Sequence, residues 1–245
     1  MNKLKTPIEI LRTRGFVDEC DFDSFSITAQ SDICEYLNSN EAHIRTCAVK
    51  KIAIENRIDC IDKLCERLRH EDKLYTKIAI CDCLAKFGTH SIEPLISLLG
   101  KIGENQHKQI GNFDLNKKTY PLPRDISART LIRIGPSVLP SMARLLATDD
   151  LLKITEAIDV IGHVSYVSRN HSLETDILHF YHQNDDVTIK WKILRAFQSF
   201  DSERVKNELE KIINDDNENP VMINEAKRSI SRINERALPI RMINR

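Results

Sequence analysis

The sequence predicts an all-α protein, a right-handed α-α superhelix, which is a solenoid of about six stacked helix pairs. Three observations predict it. The 245 residues include only 7 Gly and 8 Pro, and a scarcity of these two residues favours helix. A short apolar pattern recurs with a period in the low thirties of residues once one insertion is set aside. Within each recurrence the apolar residues follow the i, i+3, i+4 and i+7 spacing of an amphipathic helix.

The recurring pattern is a small or polar residue, an apolar residue, two variable positions and another apolar residue, often followed by glycine. Copies occur at Cys83–Gly88, Thr130–Gly135 and Ala157–Gly162. Glycine suits the left-handed position that ends many helices, so it is expected to end the first helix of a pair. A second amphipathic segment follows, as at Ile92–Leu99. Neither helix buries its apolar stripe alone, so successive pairs are expected to stack.

These repeats predict one domain over residues 1–245. The expected units are, in chain order, a degenerate leading unit at 5–40, helix pairs at 41–72, 73–102, 123–150, 151–184 and 185–218, and a capping helix at 219–236. A polar insertion at 103–122 separates the second pair from the third. Loops of this length are uncommon inside compact domains and are usually functional or disordered.

The stretch Arg129-Thr130-Leu131-Ile132-Arg133-Ile134-Gly135 resembles the short, phycobilisome-lyase-type form of the HEAT repeat. The resemblance covers about residues 41–234 and implies an α-solenoid, for which armadillo and related solenoids are the fold alternatives. HEAT arrays serve many roles, so the resemblance implies an architecture and leaves the function open.

Charge and cysteine content narrow the function classes. Lys plus Arg equals Asp plus Glu at 36 each, so no global field attracts nucleic acid or an anionic membrane. Seven cysteines without a CxxC pair predict free thiols and a cytoplasmic location. No apolar run is long enough to span a bilayer. Residues 15–40 are acidic and residues 220–245 are basic. This polarity suits head-to-tail contacts between copies, and solvated terminal charge is the alternative.

Candidate catalytic and metal sites are weak. His70-Glu71 is a single His-Glu pair, whereas deoxyhypusine hydroxylase, a HEAT-repeat enzyme, uses several such motifs to hold two irons. His179 and His182 have helical i, i+3 spacing without an indicated third ligand. No nucleophile–base pair or glycine-rich phosphate loop stands out. The sequence therefore predicts no catalytic residue, no cofactor and no metal.

The predicted function is a non-catalytic scaffold or adaptor that binds a protein partner through its concave face and inserted loop. The second helix of each pair is expected to line the concave face. The expected contact residues are Lys63, Arg67, Ser97, Lys101, Ser141 and Arg144 on second helices, and Lys117, Lys118 and Tyr120 at the rim.

A basic stripe on the last helix is the strongest other surface feature. Arg228, Arg232 and Arg236 are spaced i, i+4, i+8, so they share one helix face. Arginines in such a row bind phosphates or acidic peptides, and a polar cap on the terminal repeat is the alternative.

Two alternative functions remain open. The first is a nucleic-acid-binding module similar to the HEAT-like alkylpurine DNA glycosylases, which use aromatic residues, and Trp191 is the one Trp, predicted to be partly buried. The second is a metal- or bilin-dependent HEAT enzyme. The neutral net charge and the scarcity of aromatic residues favour a protein partner over the first alternative. The resemblance to the bilin lyases extends no further than the repeat itself, and the cysteines show no acceptor or transfer arrangement.

Overall fold

Helices joined by short 3-10 turns and loops make up the described part of the chain, which is residues 6–25, 32–113 and 115–237 of a computed structural model. No strand occurs in these ranges, so the predicted all-α class is confirmed. The chain divides into two compact units, Met1–Ile102 and Gly103–Arg245. The repeats predict one domain over residues 1–245. The structure instead divides the chain between Ile102 and Gly103, where the predicted insertion begins. A superhelix that continues through both units stays a prediction.

Six α-helices lie in the described residues of the first unit. They are α1 (Ile8–Thr13), α2 (Glu19–Ser24), α3 (Ala42–Ile54), α4 (Ile61–His70), α5 (Leu74–Lys86) and α6 (Ile92–Ile96). A 3-10 helix, Ile33–Asn38, precedes α3 and packs against it. Helix α3 packs on α5, and α4 packs on α5 and α6. Helices α3 and α4 therefore correspond to the pair predicted at 41–72, and α5 and α6 to the pair predicted at 73–102.

The second unit contains the remaining helices. They are α7 (Ile126–Ile134), α8 (Leu139–Leu145), α9 (Leu151–Ser168), α10 (Glu174–Gln183), α11 (Val187–Phe197), α12 (Glu203–Ile213) and α13 (Pro220–Ala237). The first helices α7, α9, α11 and α13 pack one on the next. The second helices α8, α10 and α12 each pack on the first helix of the following pair. The predicted boundaries agree with these helices to within a few residues.

Aspartate caps mark where the first helices of the second unit begin. The carboxylates of Asp125, Asp150 and Asp186 accept hydrogen bonds from backbone amides in the first turns of α7, α9 and α11. Amides in the first turn of a helix have no partner within the helix, and a cap of this kind contributes about 1 kcal/mol. The same cap at the same place in three successive pairs is independent support for a repeated unit.

The expected role of glycine holds at two positions and is wrong at a third. Gly88 follows α5 with a φ of 59°, and Gly135 ends α7 with a φ of 88°, both in the left-handed region that favours glycine. Gly162 instead lies inside α9, which continues to Ser168 and ends at Arg169 with a φ of 52°. Gly162 is glycine for a packing reason that involves the insertion.

The thiol prediction requires a correction. Cys34 and Cys60 form a disulfide that joins the 3-10 helix Ile33–Asn38 to the residue before α4. The other five cysteines are not part of a disulfide. Burial raises the pKa of the Cys65 and Cys83 thiols to about 12, which makes them unreactive. Because disulfides are rare in reducing compartments, the cysteines give the predicted cytoplasmic location no support.

We expect the disulfide to stabilise the first unit. Replacing both cysteines (Cys34→Ser with Cys60→Ser) opens a cross-link with a sequence separation of 26 residues. The free energy of unfolding should fall by about 3 kcal/mol, because the unfolded chain regains the entropy that the cross-link removed. Urea unfolding measures the change, and Cys20→Ser, at an exposed free cysteine, is the matched control. Alkylation of seven thiols in the unreduced, denatured protein would show that the bond does not form.

Candidate interaction surface

Helix α4 presents the most promising candidate surface among the predicted contact residues. Ile61, Leu64, Cys65 and Leu68 are buried, and their i, i+3, i+4, i+7 spacing turns the opposite side of the helix outward. A cavity of about 210 Å³ opens on this side. Its lining consists of Cys34, Leu37, Asn38, Lys63, Glu66, Arg67 and His70. The structure thus brings Lys63 and Arg67 together in one site, which we call the α4 cavity.

The charges around the α4 cavity are paired across short distances. Lys63 Nζ lies 3.1 Å from Asp32 Oδ2, and His70 Nε2 lies 3.0 Å from Glu66 Oε1. A backbone amide hydrogen bond from Cys34, together with Lys63, holds the pKa of Asp32 below its ordinary value. These side chains are exposed, and exposed pairs contribute only about 0–1 kcal/mol. A partner's polar groups can therefore replace them at little cost.

A buried ion pair fixes the end of α4 beneath the cavity. The Arg45 guanidinium of α3 donates two hydrogen bonds of 2.8 Å to Glu71, the residue after α4. Burial alone would raise the pKa of Glu71, but the hydrogen bonds from Arg45 and from the Lys73 amide lower it overall. Arg67 Nε lies 3.4 Å from the same carboxylate. The Arg67 guanidinium therefore lies within ion-pair distance of a carboxylate that Arg45 holds in place.

The other second-helix residues divide by exposure. Ser97 and Lys101 are exposed at the end of the first unit, but they do not line the α4 cavity. Arg144 is exposed on α8, whereas Ser141 is 8% exposed and accepts a 2.8 Å hydrogen bond from Arg144 Nη2. The expectation for Ser141 is therefore corrected, because its side chain packs into the second unit and Arg144 is the accessible member of the two.

The insertion, residues 103–122, packs on the first helices of the second unit. Tyr120, expected at the rim, is 5% exposed, and its ring centroid lies 5.7 Å from that of His163 and 5.5 Å from that of Tyr166. Both neighbours belong to α9. The placement of Tyr120 is thus corrected, since the hydrophobic gain from burying an aromatic ring holds it inside the unit. Lys117 and Lys118 are exposed.

The earlier part of the insertion covers Trp191 of α11. The ring centroids of His107 and Phe113 lie 5.0 Å and 6.0 Å from that of Trp191, whose exposure is 0%. Burial lowers the pKa of His107 to about 4, so this imidazole is neutral at pH 7. Asn224 of α13 donates a hydrogen bond of 3.2 Å to Asn112. The insertion therefore contacts α9, α11 and α13, and we call it the strap.

A buried set of charges connects α11 to α9. The Lys192 ammonium has 0% exposure and lies 3.0 Å from each of the Thr155 carbonyl oxygen, Glu156 Oε1 and Asp159 Oδ2. An ammonium has three donors, and all three are used. Burial raises the pKa of Glu156 to about 7, although the Lys192 charge opposes the shift. Burial alone would lower the pKa of Lys192, but Asp159 and Glu156 raise it overall.

The predicted arginine stripe is engaged within the second unit rather than free. Arg228 is 6% exposed and pairs with Glu225 at 3.1 Å, and Glu225 also pairs with Arg195 of α11 at 3.3 Å. Arg232 pairs with Glu235 at 2.8 Å. The Arg236 guanidinium lies 4.0 Å over the Tyr166 ring. The phosphate-binding alternative for this row therefore gains no support, because Arg228 shares Glu225 with Arg195 of α11 and Arg236 packs on Tyr166 of α9. Arg241 and Arg245 lie outside the described residues.

Metal binding and membrane crossing are two properties that the sequence does not predict for this chain. In residues 6–25, 32–113 and 115–237, no cluster of three or more His, Cys, Asp or Glu side chains is arranged to hold a metal ion. His182 lies 3.7 Å from Glu208, and that pair is not part of such a cluster. No helix in these ranges has the length and apolar character that crossing a membrane requires.

The comparisons with known proteins assign this chain to no family, so its fold alone describes the class of protein. No protein-family model matches the sequence, and no curated protein matches it. The described part of the chain is all-helical and consists of successive helix pairs, with a charged cavity on α4 and the strap in the second unit.

The strap gives a direct test of the packing around Gly162. A Cβ atom on Gly162 would lie 2.7 Å from Tyr120 Cζ and 3.1 Å from Ala196 Cα. Gly162→Ala should therefore displace Tyr120 and lower the free energy of unfolding by about 2 kcal/mol, as overpacking does. Amide hydrogen exchange in residues 115–121 should become faster. In the Tyr120→Ala background the same substitution should cost clearly less, and an equal cost in both backgrounds would show that Tyr120 is not the obstacle.

Proposed function

We propose that this protein is a non-catalytic adaptor, built from HEAT-like helix pairs, that binds a protein partner through the exposed side of its second helices. The α4 cavity is the centre of the proposed site. The observation that carries the proposal is that Lys63 and Arg67, selected from spacing alone, line one cavity together with Glu66 and His70. A side chain of a partner protein fits a space of about 210 Å³.

The residues that line the α4 cavity indicate which chemical groups of a partner protein would fit it. Lys63 and Arg67 bring positive charge and long apolar stems, and Leu37 adds an apolar side chain. Long basic side chains bury their stems and keep their charged ends in water. A partner segment with an apolar side chain next to a carboxylate matches this lining. The carboxylate takes the place of Asp32 beside Lys63, and the apolar side chain packs on the stems.

Arg67 contributes specificity through its fixed position. Its Nε lies near the buried Glu71 carboxylate, which Arg45 holds in place. A guanidinium that is already oriented loses less side-chain entropy on binding than a freely moving one. Arginine in such a setting is a frequent energetic anchor of protein interfaces.

A protein partner is favoured over nucleic acid because the residues that suggested nucleic acid are engaged internally. Arg228 and Arg236 contact Glu225 and Tyr166, and Trp191 lies beneath His107 and Phe113. A Trp with no exposed surface is not available to stack on a base. The exposed Arg144, Lys117 and Lys118 provide additional contacts on the second unit in this proposal.

Affinity capture with matched variants tests the proposed site. The double variant Lys63→Ala with Arg67→Ala removes both cations from the α4 cavity and should lower partner recovery at least about tenfold, the equivalent of about 1.4 kcal/mol. Quantitative mass spectrometry of proteins captured from native lysate measures recovery.

The matched control removes the same net charge from the same unit. Arg69→Ala with Lys77→Ala leaves the lining of the α4 cavity intact and should recover the partner as the wild type does. Equal recovery by both double variants would move the site away from α4.

A further inference from the structure

A second concave feature lies at the start of the first unit and is separate from the α4 cavity. It is a groove of about 690 Å³ between α2 and the last turns of α3. Its lining consists of Val17, Asp18, Glu19, Phe22, Asp23, Lys50, Ala53 and Ile54. We call it the α2 groove. The proposed adaptor function does not use it.

Apolar residues form the floor of the α2 groove, and it is open among the described residues. Ile54, the last residue of α3, is 64% exposed, whereas Ile52 on the same helix is fully buried. Val17, Phe22 and Ala53 continue the apolar lining. Ile54 is the exposed apolar residue of this lining, Phe22 and Ala53 are partly exposed, and Val17 is buried. An apolar surface rimmed by polar residues is typical of a protein contact site.

The rim of the groove is acidic. Glu19 and Asp23 are exposed on α2, and neither makes an ion pair with another residue of the described chain. Asp18 caps α2 and lies 3.8 Å from Arg12. Lys50 is the basic residue of the lining, and its Nζ donates a 3.5 Å hydrogen bond to the Val17 carbonyl. An occupant with apolar side chains and two positive charges therefore complements the groove.

The same chain carries a segment of that chemistry. Residues 238–245 read Leu-Pro-Ile-Arg-Met-Ile-Asn-Arg, so apolar residues precede Arg241 and lie between it and Arg245. Eight residues reach about 26 Å when extended, whereas the six residues of α2 span about 9 Å. The segment is thus long enough to cross the groove with both arginines near Glu19 and Asp23.

We infer that the α2 groove binds residues 238–245 of a second copy of this chain. Each copy then has one groove and one donor segment at opposite ends of its sequence. Such a contact is head-to-tail rather than twofold symmetric, so it produces rings or open chains of copies instead of a simple symmetric dimer. The charge pairing makes the association weaker at high salt.

A charge-swap experiment on the full-length chain tests the inference by sedimentation velocity. The wild type should self-associate as its concentration rises. The groove variant, Glu19→Lys with Asp23→Lys, and the segment variant, Arg241→Glu with Arg245→Glu, should each lose at least about tenfold in association. Glu104→Lys, in the second unit and outside the groove lining, should associate as the wild type does.

Mixing the two variants separates the inference from a folding defect. The groove variant alone has a basic groove and a basic segment, and the segment variant alone has an acidic groove and an acidic segment. An equimolar mixture offers opposite charges at both contacts, so it should form the complexes that neither variant forms alone. A wild type that stays monomeric at every concentration, or a mixture that stays monomeric, would overturn the inference without touching the proposed adaptor function.

Discussion

The second unit depends on one buried charge, the ammonium of Lys192. Its three donors reach Thr155, Glu156 and Asp159 of α9, so α11 fits α9 in one register. A buried ion pair adds little net stability compared with apolar packing, but removing one partner leaves an uncompensated charge and costs about 3–5 kcal/mol. Buried ion pairs also connect α11 to α13, because Glu225 of α13 pairs with Arg195 of α11 and with Arg228 of its own helix. Charge pairing therefore specifies how three first helices align.

The strap follows from this alignment. Because α9 and α11 approach closely beside Gly162, a glycine there leaves room for the Tyr120 ring, and a methyl group would also meet the backbone of Ala196. His107 and Phe113 then cover Trp191, whose other ring contact is the Arg195 guanidinium at 4.3 Å. The polar sequence of the insertion predicts a surface loop, but its His107, Phe113 and Tyr120 side chains pack into the second unit. The centre of the proposed partner-binding surface is the α4 cavity, and the exposed Lys117 and Lys118 of the insertion add contacts.

Local features were predictable from sequence, and long-range ones were not. The bounds of α4 and α11 follow from apolar spacing, which is read within one helix. The same spacing predicts that Lys63 and Arg67 lie on the exposed side of α4. The Cys34–Cys60 bond joins distant residues without a spacing signal, so connectivity was not deducible. The sequence did carry an indication of the buried charges, because Lys192 occupies a core position in the apolar pattern of α11.

The stability of Lys192→Met tests the central role of this charge most directly. Methionine has a similar volume and no charge, so the substitution leaves Glu156 and Asp159 buried without a cation. Urea unfolding at neutral pH should give a loss of about 3 kcal/mol or more in the free energy of unfolding. A loss below about 1 kcal/mol, with the near-ultraviolet signal of Trp191 unchanged, would contradict the account, because the alignment of α9 and α11 would then not depend on the buried ammonium.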